Sequence, residues 1–289
     1  MLYNLLIAPF VEFDFMRRAL VGAAALALSG GPVGVFLMLR RMSLTGDAMA
    51  HAILPGAAVG FLLYGLSLPA MTIGGLAAGF AVALAAGLVA RTTALKEDAA
   101  LAAFYLISLA LGVTLVSLRG SNVDLLHVLF GTVLALDDAT LLLVAGIATV
   151  TLIALAVLYR PLVLECVDPG FLRSVSRAGA VAHLAFLALV VINLVGGFHA
   201  LGTLLAVGMM MLPAATARFW SGDITVMIGL STLVGMLSGA AGLVLSYHTG
   251  LPAGPSIILV AGGAYVISLF VGPVDGLLWR LVPARHLEA

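Results

Sequence analysis

The chain alternates long apolar runs with short intervals of charge and turn residues. The runs fall at about 18–40, 47–66, 70–90, 99–118, 139–159, 180–197, 201–217, 224–247 and 256–279. A helix needs about 20 mostly apolar residues to cross a bilayer. The pattern therefore predicts an all-α, polytopic membrane bundle of about eight to nine transmembrane helices per subunit, in one transmembrane domain over 1–289. The sixth and seventh runs read as one broken unit pivoting at Gly196 and Gly197. Pro32, Pro55 and Pro213 interrupt helical stretches, and each frees backbone groups that protein or water must satisfy. Broken helices of this kind favour a transporter over a passive anchor.

Composition narrows the class. Of 289 residues, 63% are hydrophobic and 9% charged, with a mean hydropathy of +1.23; soluble domains carry about 25% charged residues. No sizeable soluble domain fits, so aqueous chemistry falls to partners. Thirteen Lys and Arg balance thirteen Asp and Glu, which argues against a nucleic-acid surface. Cys166 is the sole cysteine, so neither an intrachain disulfide nor a thiolate metal cluster can form. The opening, MLYNLLIAPFVEFDFMRRAL, has acidic residues ahead of Arg17 and Arg18 and no small-residue cleavage site, and it reads as retained chain.

Charge placement predicts orientation. Arg40 and Arg41, Arg91 and Lys96, Arg160 with Arg173 and Arg177, Arg218, and Arg280 with Arg285 occupy alternate intervals, whereas the opposite ones hold only Arg119. By the positive-inside rule the Arg-bearing side, with the C-terminus, is cytoplasmic. Arg17 and Arg18 conflict with a nine-span count, and an interfacial first helix would reconcile them. Gly56 with Gly60, Gly75 with Gly79, and Gly235 with Gly239 are pairs that let helix backbones approach.

The chemistry-bearing candidates are few. Asp47 and His51 lie four apart, on one helix face. Ionisable groups inside a bilayer are costly and tend to face a protein interior or a water-filled path. One carboxylate oxygen and one imidazole nitrogen make half of a site suited to Zn²⁺ or Mn²⁺ and poor for soft Cu⁺. The spacing equally allows Asp47 to cap its helix and hydrogen-bond His51 as a satisfied pair. Asp124 and His127, three apart in an outer interval, form a weaker candidate for an ion entrance. His183, His199 and His248 sit near span ends, and the trio Met209 to Met211 points in three directions around a helix, which favours packing. The interval 159–179 is the longest hydrophilic one. Asp168 and Pro169 are expected to open a short amphipathic helix, with Phe171, Leu172 and Val175 on its apolar face and Arg173 and Arg177 beside it. Such a helix fits either the lipid surface or a cytosolic partner. No phosphate-loop, H-E-x-x-H or G-x-S-x-G motif occurs, so the chain reads as a non-enzyme without its own ATPase.

Six segments then fall into place together. GVFLMLRRMSLTGDAMAHAILPGAAVGFLL, KEDAALAAFYLISLALGV, DLLHVLFGTVLAL, VDPGFLRSVSRAGA, FHALGTLLAVGMMMLPAATARFW and SYHTGLPAGPSIILVAGG resemble, in order, the signature segments of the membrane permeases of bacterial zinc, manganese and iron ABC importers. The resemblance implies a multi-pass permease of the bacterial plasma (inner) membrane, paired with a second copy of itself in a homodimer embedded in membrane lipid. It further implies two cytosolic ABC ATPase subunits and an extracytoplasmic solute-binding protein that delivers the ion. Asp47 and His51 correspond to the residues associated with metal passage, and Asp168, Pro169, Phe171, Leu172 and Arg173 belong to the segment that docks the ATPase. Ser176, Arg177 and Ala178 depart from the more Leu- and Gly-rich end of relatives. No permanently bound cofactor is expected; the metal is cargo. The segment GTLLAVGMMMLPAATARFW looks most like zinc-type members, with manganese next, and an ion-coupled secondary metal carrier is the alternative class.

Overall fold

The computed structural model describes residues 3, 7–65, 67–95, 97–118, 136–168, 178–274 and 276–278. Among these, the ordered elements are helices: α1 Ala8–Glu12, α2 Asp14–Leu39, α3 Ser43–Ala52, α4 Leu54–Tyr64, α5 Leu68–Thr92, α6 Glu97–Leu118, α7 Asp138–Val167, α8 Ala178–Leu201, α9 Thr203–Arg218, α10 Ile224–Thr249 and α11 Ala253–Val271. Eight helical stretches are long and apolar enough to cross a membrane, with α3 and α4 together forming one of them. Each of the nine apolar runs contains a helix, but α9 has only 16 residues. At 1.5 Å per residue it is about 24 Å long, shorter than the roughly 30 Å hydrocarbon layer. The last run stops at Val271, because Gly272 and Pro273 end the helix before residue 279.

Residue contacts fix the helix directions. Gly30 and Gly34 of α2 face Met210 and Ala214 of α9, so these two run parallel; a Cβ on Gly34 would sit 1.8 Å from the Met210 carbonyl oxygen. Gly235 and Gly239 of α10 face Ala27 and Ala23 of α2, an antiparallel match. Small residues let backbones touch where lipid supplies no hydrophobic drive between helices. Arg18 meets Asp138 at 3.1 Å and Arg40 meets Glu165 at 2.9 Å, so α2 and α7 are parallel and joined at both ends. The ends of α9 and α11 meet where Val274 N–H donates to the Phe219 carbonyl at 2.9 Å and Trp220 Nε1 donates to Ser268 Oγ at 2.8 Å. Arg40, Arg41 and Arg218 thus share one end of the bundle, as the alternating charges anticipate.

Two expectations need correction. Gly196 and Gly197 lie inside α8; the break falls at Gly202, whose φ of 84° and ψ of 162° fit only glycine comfortably. Arg17 and Arg18 belong to the first turns of the spanning helix α2, not to an interfacial one. Their charge is matched by Asp14, which contacts Arg17, and by Asp138 beside Arg18. The glycine pairs do serve close approach. Gly56 faces Gly74 and Gly60 faces Ala70, while Gly75 and Gly79 take Val195 and Val191 of α8.

Candidate metal-transit site

Pro55 cuts helix α3 short. It has no N–H to give the preceding turn, and the helix yields at Ile53 before α4 resumes at Leu54. Beside the break, the Ala52 carbonyl accepts a hydrogen bond from Ser108 Oγ of α6 at 2.9 Å. Gly112, one turn further along α6, leaves room for the break; a Cβ there would lie 3.1 Å from Pro55 N. Protein groups therefore satisfy the broken backbone, as non-helical segments at membrane depth require.

Asp47 and His51 project from this half-helix. His51 Nε2 lies 3.8 Å from Asp47 Oδ1, too far for a hydrogen bond. The N-cap position belongs to Met42, and no side chain caps the helix. The alternative of a capping, self-satisfied pair is thereby removed. The His51 ring stacks on Tyr105 of α6, centroids 6.1 Å apart and planes 30° apart, and its buried Nδ1 has no hydrogen-bond partner. The Asp47 side chain is 63% exposed. One ion with bonds of about 2.0–2.2 Å can bridge donor atoms 3.8 Å apart. His51 also stands in the last turn of α3, where the helix dipole presents its negative end and favours a cation. Discontinuous helices ending at a cation site are a recurring transporter device. Among the described residues no cluster of three or more His, Cys, Asp or Glu side chains occurs, so the described part of one chain offers an ion two ligands at this point.

The other candidates separate from the pair. Asp124, His127, Pro169, Phe171, Leu172 and Arg173 lie outside the described residues, as does the short helix expected after Asp168. Asp168 itself closes α7, its N–H donating to the Leu164 carbonyl at 2.9 Å; α7 reaches Val167 and so absorbs the first part of the hydrophilic interval. His199 Nδ1 donates to the Val195 carbonyl at 2.8 Å, and His248 packs edge-on to Tyr247. Met209 and Met210 are buried in the core, and the ends of Met210 and Met211 lie against Gly46. Packing explains the methionines.

Sequence reasoning missed Tyr105, Ser108 and Gly112. Their spacing of three and four residues puts them on one face of α6, the face that tracks His51, Ala52 and Pro55. Polar and small residues recurring on one stripe of an apolar run were the available signal. Also missed was the grouping of Arg40, Glu165 and His183, which converge from α2, α7 and α8. At separations of 125 and 143 residues no local pattern joins them.

A multi-pass helical bundle with a broken helix carrying an exposed carboxylate and an imidazole is an architecture that membrane transport proteins use. Residues 12–272 match the ABC 3 transport family, and the chain belongs to that family of metal-ion ABC permeases. It is 32% identical to the manganese transport system membrane protein MntC of Halalkalibacterium halodurans over 283 residues, 96% of each chain. It is 33% identical to the manganese import system permease protein ScaB of Streptococcus parasanguinis over 262 residues, 91% of this chain and 92% of that one. The solved structure of PsaBC from Streptococcus pneumoniae in complex with Fab superposes with a TM-score of 0.85 at 31% identity, covering 97% of this chain and all of that one. A putative metal-chelate type ABC transporter in an inward-facing conformation shares the fold at a TM-score of 0.65 and 17% identity. Both sequence relatives are manganese proteins, so manganese, the second choice on sequence grounds, has better support than zinc.

Proposed function

We propose that the chain is the permease subunit of an ABC importer that moves Mn²⁺ across a bacterial plasma membrane, with energy from a separate ATPase. The observation that carries this reading is the same-face Asp47 and His51 pair, free of capping and mutual hydrogen bonding, on the broken helix of an ABC-3 family chain. Manganese is favoured over zinc by the relatives, and a carboxylate oxygen beside an imidazole with no thiolate is donor chemistry that Mn²⁺ accepts. Two ligands per chain suit transit, since an ion that must leave cannot be held by a closed cage. Two copies about a twofold axis would double the set. In this reading the Arg-bearing end and the C-terminus face the cytoplasm, the segment from Asp168 to Gly179 docks the ATPase, an extracytoplasmic binding protein delivers the ion to the opposite end, and Asp124 and His127 remain candidates for the entrance.

The test is Mn²⁺ uptake by proteoliposomes holding the permease, its ATPase and ATP, with the binding protein outside. Asp47→Asn and His51→Ala are each expected to abolish uptake while membrane insertion and ATPase association persist. Normal uptake by both variants would remove the site assignment. Uptake by the permease alone under a pH gradient would replace the ABC reading with that of a secondary carrier, and a preference for Zn²⁺ in competition would reverse the choice of metal.

A further inference from the structure

We infer that Arg40, Glu165 and His183 form a positioning cluster that ties helices α7 and α8 to the site helix α3. Arg40 is the C-cap of α2, Glu165 lies in the last turn of α7, and His183 lies near the start of α8. Arg40 Nη2 donates to Glu165 Oε1 at 2.9 Å and contacts His183 Nδ1, which is itself 3.9 Å from the same carboxylate oxygen. The guanidinium carbon lies 4.9 Å from the centroid of the Phe186 ring, and that ring meets Phe36 edge-on. Side-chain exposures of 7%, 13% and 15% for Arg40, Glu165 and His183 put the cluster inside the protein.

The placement matters more than the stability. Buried ion pairs are often replaceable by apolar residues with no loss of fold, so what marks this cluster is where it lies and not the stability it adds. Glu165 stands three residues before Asp168 and His183 five after Ala178, so both roots of the 168–177 interval are gripped here. On the other side, Arg40 leads directly into Arg41, at the uncommon φ of 58°, and then through Met42 into α3 with Asp47 and His51. A strained turn that must follow Arg40 converts a shift of the cluster into a tilt of α3. The cluster also holds an alternative within itself. Arg40 Nη1 and Glu165 Oε2 are both buried without hydrogen-bond partners. A rotation that makes the pair bidentate satisfies both atoms and loosens the hold on His183. Two arrangements of the same groups are what a two-state coupling element requires.

The cluster's role in transport rests on the permease reading above, so the experiment has one arm that depends on it and one that does not. In the dependent arm, Glu165→Gln and the apolar triple Arg40→Met, Glu165→Met, His183→Leu are assembled with the ATPase and binding protein and assayed with Mn²⁺. ATPase association and ATP hydrolysis are expected to persist while Mn²⁺ taken up per ATP falls about tenfold, within the range of ordinary coupling effects. In the independent arm, nitroxides at Leu44→Cys on α3 and Val167→Cys on α7, both exposed positions, report their separation in the permease alone on a Cys166→Ser background. The distance distribution is expected to shift in Glu165→Gln, and in the triple variant if Glu165→Gln fails to fold. An unchanged distribution in the folded variant, or unchanged Mn²⁺ per ATP, would overturn the inference. A shifted distribution with no Mn²⁺ transport by the unmodified assembly would overturn the function and leave the cluster standing.

Discussion

Adding one methyl group at Gly56 should unseat the half of the broken helix that lies beyond His51. A Cβ there would lie 1.9 Å from the Gly74 carbonyl oxygen and 2.7 Å from Ala78 Cβ. Ordinary contact begins at 3.4 Å, so α4 and α5 must separate by about 1.5 Å. The obstructing atom belongs to a helix backbone and cannot rotate aside, which places the cost near the top of the usual 1–3 kcal/mol for overpacking. Alanine recovers about 1 kcal/mol of helix propensity over glycine, leaving a net loss of about 2 kcal/mol, or about 30-fold in the folded-to-unfolded ratio. Gly87, also on α5, has nothing within 4 Å of its would-be Cβ. Gly87→Ala should be neutral or stabilising by up to about 1 kcal/mol. Denaturant unfolding in detergent should therefore separate the two variants by about 2–3 kcal/mol on the same reasoning. Equal midpoints would show that α4 and α5 do not meet backbone to backbone, and the seating of the break between His51 and Pro55 would have to be redrawn.

Other outcomes are as definite. Ser108→Ala leaves the buried Ala52 carbonyl without its 2.9 Å partner, at a cost of about 1–3 kcal/mol; the unfolding midpoint and Mn²⁺ uptake should both drop, and unchanged values would show that another group satisfies the break. Asp137 caps α7. The Thr140 side chain first, and then its N–H at 2.9 Å, hold the Asp137 carboxyl below its ordinary value. A depressed folded pKa means that the contribution is present above the ordinary carboxylate value and is lost as pH falls through the lowered one. The amide protection factor at Thr140 should decline across that acid window, and in Asp137→Asn, which keeps an acceptor but does not titrate, it should be flat; parallel declines in both would assign the effect elsewhere.

Helix content was legible because each apolar run is long and carries few charges, and Asp47 with His51 was legible because four residues is about one helical turn. What sequence could not show was tertiary satisfaction. The cap reading of Asp47 failed only once Met42 was seen to start α3 and 3.8 Å to separate the pair. Gly196 and Gly197 advertised a hinge, yet they serve close packing, against Ile147 and Ala206, and Gly202 bears the strained turn. Arg40 read as one more positive charge at a span end. Its role depends on Glu165 and His183, which only folding brings within reach.

The two ends of the parallel pair α2 and α7 are fastened unequally. At the end bearing Arg18 and Asp138 both side chains are open to solvent, 44% and 79% exposed, and such a contact contributes little. At the other end Arg40 and Glu165 are enclosed. Two rods fastened in this way behave like tweezers. The enclosed ion pair makes the Arg40 end the fulcrum, while at the Arg18 end apolar packing around Met16, Ala19, Leu136 and Val144 supplies the main resistance to splaying. Relative movement of this half of the bundle should therefore be a hinge motion whose amplitude grows with distance from Arg40 and is greatest at Arg18.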